Sequence, residues 1–200
     1  SFLWKIVTGD EKWIYYDNPV NKKQWLSPGK TPLPCPKPEI HRKKVMLCVW
    51  WDSKGVIYYE LLEPRKTVTA DLYSQQLIRL SQALERKRPY NAKGKREVIL
   101  LHDNARPHVA LTTQATIAEL GWEVLPHPAY SPDLAPSDYH LFRSMEHFFR
   151  EKKYVNLESI KKDVSTFFDL KPAIFYERGI QLLPEKWQMV IASEGNYFSD

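Results

Sequence analysis

The stretch Glu97-Val98-Ile99-Leu100-Leu101-His102-Asp103-Asn104 decides how the rest of the chain can fold. Its four consecutive apolar residues are too few for a helix and rich in β-forming side chains, which predicts a strand buried on both faces. An acid, Asp103, follows this strand. The end of a buried strand is rigid and open to solvent, and α/β folds place their chemistry there. Asp103 is therefore a candidate functional carboxylate.

Strands and one helix are predicted upstream of this stretch. Thr69 is suited to cap that helix, because it precedes apolar residues at helical spacing. The predicted upstream elements are a strand over 2–9 with Asp10 at or just past its end, a loop from Asp17 to Lys44, hairpin strands over 45–51 and 56–62, and a helix carrying Tyr73, Leu77, Leu80 and Leu84 that ends before Pro89.

Helices dominate the chain downstream of Asp103. Ser137 is expected to cap one of them, with Asp138 in its first turn, leaning toward the sheet. The predicted downstream elements are a helix over 109–120 capped by Gly121, a strand over 122–125, an irregular segment over 126–136, the helix from Ser137, and helices over 157–168 and 184–191. This order predicts an α/β, ribonuclease H-like fold, in which a mixed central sheet is flanked by helices.

Three carboxylates meet if this fold is correct. The first and fourth strands lie side by side at its centre, so Asp10 and Asp103 end on neighbouring strands and Asp138 faces them from its helix. Clustered carboxylates repel one another unless a cation neutralises them, and hard oxygen ligands favour Mg²⁺ or Mn²⁺ over zinc. Two such ions, about 3.5–4 Å apart, can clamp the attacking and leaving oxygens of a phosphoryl transfer. Asp133 could be mistaken for the third ligand, but its place between Pro132 and Pro136 suggests a loop that contacts DNA or braces the site instead.

Two basic segments suit a polyanionic partner, in keeping with a net charge of +5 and a pI near 9.0. The residues from Arg86 to Arg96 form either a solvated loop or a ridge that contacts phosphates. The loop from Asp17 to Lys44 contains six prolines, which forbid regular pairing, so it is either a basic surface loop or a functional arm. Trp25 and Leu26 give that arm apolar anchors.

The residues carry a resemblance to a known family. Three motifs resemble those of the mariner-family DNA transposases, in particular their catalytic domain. Asp103 and Asp138 are separated by 34 residues, counted as 138 − 103 − 1, which is the family's spacing. The three motifs are Thr8-Gly9-Asp10-Glu11-Lys12-Trp13, His102-Asp103-Asn104-Ala105, and Tyr130-Ser131-Pro132-Asp133-Leu134-Ala135-Pro136-Ser137-Asp138.

The resemblance covers essentially all 200 residues, here taken as one domain, and it implies a function. Relatives are nuclear enzymes that use three aspartates and two Mg²⁺ or Mn²⁺ ions to cut transposon ends and join the 3′-OH to target DNA at TA. They act as homodimers, and the loop from Asp17 to Lys44 matches their clamp. The resemblance thus assigns Asp10, Asp103 and Asp138 as catalytic metal ligands. Further expected sites are His102, Asn104 and His140 supporting the metal site, Arg86, Lys87, Arg88, Arg106, Tyr130 and Ser131 contacting DNA, and Trp25 and Leu26 in the clamp.

Other readings remain open at the level of sequence. A domesticated DNA-binding or assembly module with weak or unused nuclease activity is the alternative function. His102 beside Asp103 is also found in metal phosphohydrolases, and the neighbouring histidines lack a zinc-ligand spacing. The family's N-terminal DNA-reading region is not in this sequence, which also begins without Met, so we expect a catalytic fragment. No apolar run approaches the length of a membrane span.

Overall fold

A computed structural model describes residues 2–19, 42–89 and 97–193 of the chain. In these ranges a five-stranded mixed sheet, in the order β3-β2-β1-β4-β5, lies between two groups of helices. The strands are β1 (Ile6–Tyr15), β2 (Lys44–Asp52), β3 (Gly55–Leu61), β4 (Ile99–Leu101) and β5 (Glu123–Val124). The helices are α1 (Ala70–Lys87), α2 (Arg106–Val109), α3 (Leu111–Leu120), a π-helix (Ser137–Phe142), α4 (Arg143–Phe149), α5 (Leu157–Leu170), α6 (Ala173–Gln181) and α7 (Leu183–Ala192).

The sheet has one apolar core on each face, which confirms that β4 is buried on both sides. Ile99 and Leu101 pack with the helices from the π-helix to α6, whereas Leu100 packs against α1 and α3. Alternate residues of a strand point to opposite faces, so a strand covered on both faces must be apolar throughout. The short strand β4 therefore contributes side chains to both cores and connects them.

The first strand differs from its prediction. Leu3–Lys5 forms a 3₁₀ turn, and β1 then continues to Tyr15, well beyond the expected end at residue 9. The extension is stabilised by antiparallel pairing with β2, which runs from Thr8 opposite Trp51 to Tyr15 opposite Lys44. Asp10 consequently lies in the middle of the strand. A sequence pattern cannot show how far a partner strand reaches, which is why the boundary was wrong.

Most of the helices follow their predictions. Thr69 caps α1 by accepting a hydrogen bond from the Leu72 amide, and Gly121 ends α3 in the left-handed conformation. The expected helix over 109–120 is broken at Ala110, whose extended backbone separates α2 from α3. Helix α6 was not predicted. In the described ranges no helix combines the length and apolar character that crossing a membrane requires.

The two ends of the predicted clamp loop leave the sheet together. The Tyr16 amide donates to the Lys43 carbonyl, and Tyr154 donates in turn to the Tyr16 carbonyl. Asn18 also exchanges backbone hydrogen bonds with the segment that follows α4, through Glu151 and Lys152. These contacts fix the neck of the loop. Trp25 and Leu26, the expected anchors, lie outside the described residues.

Candidate active site

The strand register brings Asp10 and Asp103 to the same edge of the sheet. Strands β1 and β4 run parallel, and their last paired residues are Thr8 and Leu101. Asp10 and Asp103 each follow two residues later, so they lie level with one another where β4 has ended. The parallel neighbour of β1 stops here, whereas β1 itself continues to Tyr15. The predicted meeting of these two acids is thus present, although Asp10 is not at a strand end.

Asp138 reaches the same place from the π-helix. This type of helix is rare and is frequent at functional sites. Ser137 does not cap the helix as predicted, because its buried hydroxyl accepts a hydrogen bond from the Trp51 indole at 3.1 Å. On the other side, Tyr139 donates to the Gly179 carbonyl at 2.6 Å. Asp138 is therefore held between a β2 contact and an α6 contact.

The three carboxylates interact electrostatically. Burial, and then the negative charge of Asp138, hold the pKa of Asp10 well above its usual value. Burial also raises the pKa of Asp138, and the nearby charge of Asp103 adds to this effect while Lys12 opposes it. Asp10 and Asp138 thus lie close enough for the charge of one to affect the protonation of the other. Like charges that are buried together favour protonation, so this edge of the sheet attracts cations.

Asp103 has a different environment because His108 contacts it. Nδ1 of His108 lies 2.6 Å from Oδ1 of Asp103, and Nε2 lies 3.1 Å from Oε1 of Glu11. Burial would lower the pKa of His108, but hydrogen bonds to the two carboxylates outweigh it and raise the pKa to about 10. The hydrogen bond from His108 lowers the pKa of Asp103. Sequence reasoning gave no role to His108 or Glu11, although Glu11 lies within the first motif and His108 lies three residues after the second.

The residues expected to support the site lie around it but do not bond to its carboxylates. His102 is buried, with Nδ1 2.8 Å from the Tyr73 hydroxyl, and burial followed by the charge of His108 lowers its pKa to about 4. Asn104 donates to the His127 carbonyl at 2.7 Å. His140 donates to the Phe175 carbonyl at 2.7 Å, so it supports Asp138 by docking the π-helix on α6.

A cavity of about 390 Å³ opens beside Asp103 and Asp138. Three of the residues expected to contact DNA line it, namely Arg106, Tyr130 and Ser131. Tyr130 is 90% exposed and has a positive φ of 54°, a conformation that is rare for a residue with a bulky side chain. An exposed aromatic ring beside carboxylates suits contact with a nucleotide.

The end of α1 divides the predicted basic ridge. Arg86 is exposed, and Lys87 donates to the Val56 carbonyl at 3.4 Å. Arg88 is bound to Asp52 through two hydrogen bonds of 3.0 Å, and the Asp52 side chain is only 1% exposed. The guanidinium of Arg88 therefore neutralises a buried carboxylate at the β2–β3 turn. Its expected role in binding phosphate has to compete with this ion pair.

The donor set suits a hard divalent cation. Asp10, Asp103 and Asp138 offer carboxylate oxygens, which are the ligands that Mg²⁺ and Mn²⁺ prefer. Oδ2 of Asp103 makes none of the described hydrogen bonds, since His108 and the Ala105 amide both contact Oδ1. Within 2–19, 42–89 and 97–193, no three His, Cys, Asp or Glu side chains already have the arrangement of a complete metal site. The three carboxylates therefore fit a divalent cation in charge and donor chemistry.

Comparison with known sequences identifies relatives of this chain. A family model described as Transposase (partial DDE domain) matches residues 15–93. The mariner Mos1 transposase of Drosophila mauritiana is 53% identical over 197 residues, which are 98% of this chain and 57% of that protein. The histone-lysine N-methyltransferase SETMAR of Homo sapiens is 44% identical over 199 residues, 98% of this chain and 29% of that protein. The chain thus spans little more than half of Mos1 and under a third of SETMAR.

Solved structures of Mos1 are similar to this fold. The Mos1 catalytic domain with raltegravir and Mg superposes with a TM-score of 0.84 at 50% identity, covering 99% of this chain and 87% of that one. The Mos1 paired end complex with Mn gives 0.90 at 54% identity, covering 100% and 58%. The Mos1 strand transfer complex gives 0.87 at 53% identity, covering 99% and 57%. The chain therefore belongs to the mariner family of transposases, and its fold is the RNase H-like fold of their catalytic domain.

Proposed function

We propose that this chain is the catalytic domain of a metal-dependent DNA transposase, which hydrolyses strands at transposon ends and transfers the 3′-OH ends to target TA sites. The observation that carries the proposal is the convergence of Asp10, Asp103 and Asp138 at one edge of the sheet. Mos1, at 53–54% identity, has been solved as paired end and strand transfer complexes. Strand hydrolysis and strand transfer are phosphoryl transfers, which is the reaction class that metal ions bound by clustered carboxylates catalyse.

The three aspartates would hold Mg²⁺ or Mn²⁺, two ions per active site. Similar Mos1 structures contain Mg or Mn. Bound ions of this kind stabilise the charge on the attacking and leaving oxygens of a phosphoryl transfer. The protein's own part is to keep Asp10 and Asp138 together despite their repulsion, on a strand and a helix that pack into one core.

DNA would lie across the cavity beside Asp103 and Asp138. Arg106, Tyr130 and Ser131 line this cavity and are suited to contact the strand being cut. Arg86 and Lys87, at the end of α1, are suited to contact phosphates farther along the duplex. We propose that Arg88 contributes less, because it is paired with Asp52.

The assembly we propose is a homodimer in the nucleus, clasped by the loop from Asp17 to Lys44. Similar Mos1 structures are paired end complexes, which supports a pair of subunits on DNA. The converging backbone of Tyr16 and Lys43 supports an arm that projects as one unit. The nuclear location is supported by the eukaryotic sources of the two relatives, Drosophila mauritiana and Homo sapiens.

Metal-dependent nicking of a DNA duplex tests this function against the alternative of a DNA-binding or assembly module. The wild-type chain should nick a duplex with Mn²⁺ and not with EDTA. Asp10→Asn and Asp103→Asn should remove nicking while keeping DNA binding and a fold at least as stable as that of the wild type. DNA binding without nicking in the wild-type chain would favour the module, for which a relative named as a methyltransferase at 44% identity is the supporting observation.

A further inference from the structure

We propose that His108 is a positioning residue, which fixes the Asp103 carboxylate for metal binding, and that Glu11 anchors His108. This inference rests on the proposed function, because it concerns how the metal site is held. It joins two motifs that are distant in sequence. Glu11 follows the first aspartate, and His108 follows the second by five residues.

Asp103 lies beyond the end of β4, so its carboxylate needs a contact from outside its own loop to be held in place. Strand β4 ends at Leu101, and the Asp103 side chain is 49% exposed. Its other described hydrogen bond comes from the Ala105 amide at 2.9 Å, only two residues away. Such a local turn contact moves together with its own loop. The contact at 2.6 Å from His108 is therefore the one that ties the carboxylate to the rest of the domain.

His108 is itself held on every side. Its side chain is 2% exposed, and its ring stacks on His102 with an interplanar angle of 3°. The Tyr73 ring from α1 lies 4.1 Å away between centroids, and its hydroxyl meets His102. The Nδ1 edge of the ring faces the Asp103 carboxylate and carbonyl, and the Nε2 edge faces Glu11, so both edges of the imidazole have polar partners. These contacts hold the His108 imidazole in one orientation, and the imidazole in turn orients the Asp103 carboxylate.

Glu11 connects His108 to β1, the strand that carries Asp10, and so links the two metal-binding aspartates. Neighbouring residues of a strand point to opposite faces, so Asp10 faces the π-helix while Glu11 faces α2 and His108. The chain Asp10, Glu11, His108, Asp103 therefore fixes the second aspartate relative to the first. Partners that orient metal-binding side chains typically change metal affinity by about 10–100-fold when they are removed.

Two substitutions of His108 separate its contacts. The amide nitrogen of Asn can replace Nδ1, so H108N keeps a donor for Asp103. The longer side chain of Gln replaces Nε2, so H108Q keeps a donor for Glu11 alone. We expect H108Q to weaken Mn²⁺ binding by about 10–100-fold, whereas H108N should stay closer to the wild type. The measurement is Mn²⁺ titration of the folded chain, followed by the electron paramagnetic resonance of free Mn²⁺.

Further variants make the outcome decisive. Asp10→Asn should abolish Mn²⁺ binding. If it does not, or if the wild type binds no Mn²⁺, the proposed function fails, whatever His108 does. If Asp10→Asn loses binding while H108Q keeps wild-type affinity, the positioning inference alone is overturned. Equal losses in H108N and H108Q, matched by equal thermal destabilisation without metal, would assign His108 to folding instead.

Glu11 gives a second test, which applies even when H108Q fails to fold. E11A removes both the charge and the acceptor for His108, and E11Q removes the same charge but keeps an acceptor. We expect E11A to bind Mn²⁺ more weakly than E11Q, because only E11A frees the imidazole. Equal affinities in the two variants would contradict the role of Glu11 as an anchor.

Discussion

Asp10 and Asp138 are kept together at a cost to the stability of the metal-free fold. Their raised pKa values mean that the folded state binds protons more tightly than the unfolded state does. Stability therefore falls as pH rises from the unfolded value near 3.8 through the raised folded values. At neutral pH both carboxylates weaken the fold, which is the usual sign of a site shaped for a ligand.

Removing one of these charges should stabilise the metal-free protein. We expect Asp138→Asn to raise Tm at pH 7 in EDTA, because it relieves repulsion and the burial of a charge, while abolishing DNA nicking. The gain should vanish near pH 3, where the wild-type carboxyls are protonated as well. Thermal unfolding at the two pH values, with nicking measured in parallel, checks this. A lower Tm at pH 7, or nicking at the wild-type rate, would contradict the assignment of Asp138.

At the scale of elements, the position of the π-helix depends on contacts that no sequence pattern indicates. The Ser137 hydroxyl is buried and accepts from Trp51 of β2, while Tyr139 and His140 bind carbonyls of α6. Gly179 is needed at this junction, since a Cβ there would lie 2.7 Å from both His140 and Trp51. Two elements that carry none of the three catalytic aspartates thus set where Asp138 points.

Ser137 offers a direct test of this support. Ser137→Ala leaves the buried Trp51 indole without its described partner, which should cost about 1–3 kcal/mol of the free energy of unfolding. Urea denaturation measures the loss. Ser165→Ala serves as a control, because the described hydrogen bond of its hydroxyl is a long one of 3.5 Å to Asp169 on the same helix, α5. A Ser137→Ala variant as stable as this control would show that the indole finds another acceptor.

The sequence predicted those elements that are determined by local patterns. The hairpin, α1 with its Thr69 cap, and the buried β4 run follow from β-forming residues, turn residues and helical spacing. The length of β1 was wrong because it depends on β2. The π-helix, α6 and the contact between Glu11 and His108 depend on long-range packing, which spacing does not encode. The aspartates were identified by motif, and their environments by structure alone.

At the scale of the whole molecule, the positive charge is divided between binding and folding. Arg88 stabilises the β2–β3 turn through buried Asp52, whereas Arg86 is exposed and Lys87 makes only a long contact. The three consecutive basic residues at the end of α1 therefore do not form a single DNA-binding surface. Substituting all three residues together would confuse lost DNA contacts with lost stability.

We predict different results for the two parts of this run. Arg88→Ala should destabilise the fold by about 3–5 kcal/mol, because it removes the guanidinium that pairs with the buried Asp52 carboxylate. Arg86→Ala with Lys87→Ala should leave Tm nearly unchanged, weaken binding to all duplexes about equally, and reduce the dependence of log Kd on log salt. Thermal unfolding and fluorescence anisotropy check the two. Loss of affinity for one sequence only would mean that these residues read bases.

The dimer predicts a role for the loop between the strands. In the full-length protein, replacing residues 20–40 by a short Gly-Ser linker should abolish the complex of two subunits on transposon-end DNA, while the domain stays folded. Light scattering of the complexes measures this, with circular dichroism as the control for folding. Equal assembly by the parent and the deletion variant would contradict the clamp.

The neck of that loop has a consequence for how such proteins can diversify. Tyr16 and Lys43 leave the sheet bonded to one another, and the segment after α4 braces them from outside. The catalytic fold therefore accepts the intervening residues as a cassette, whose length and composition can change without altering the register of β1 and β2. Exchange of this cassette between relatives would let the choice of dimer partner evolve separately from the catalytic site. Different transposons in one genome would then not need to share subunits.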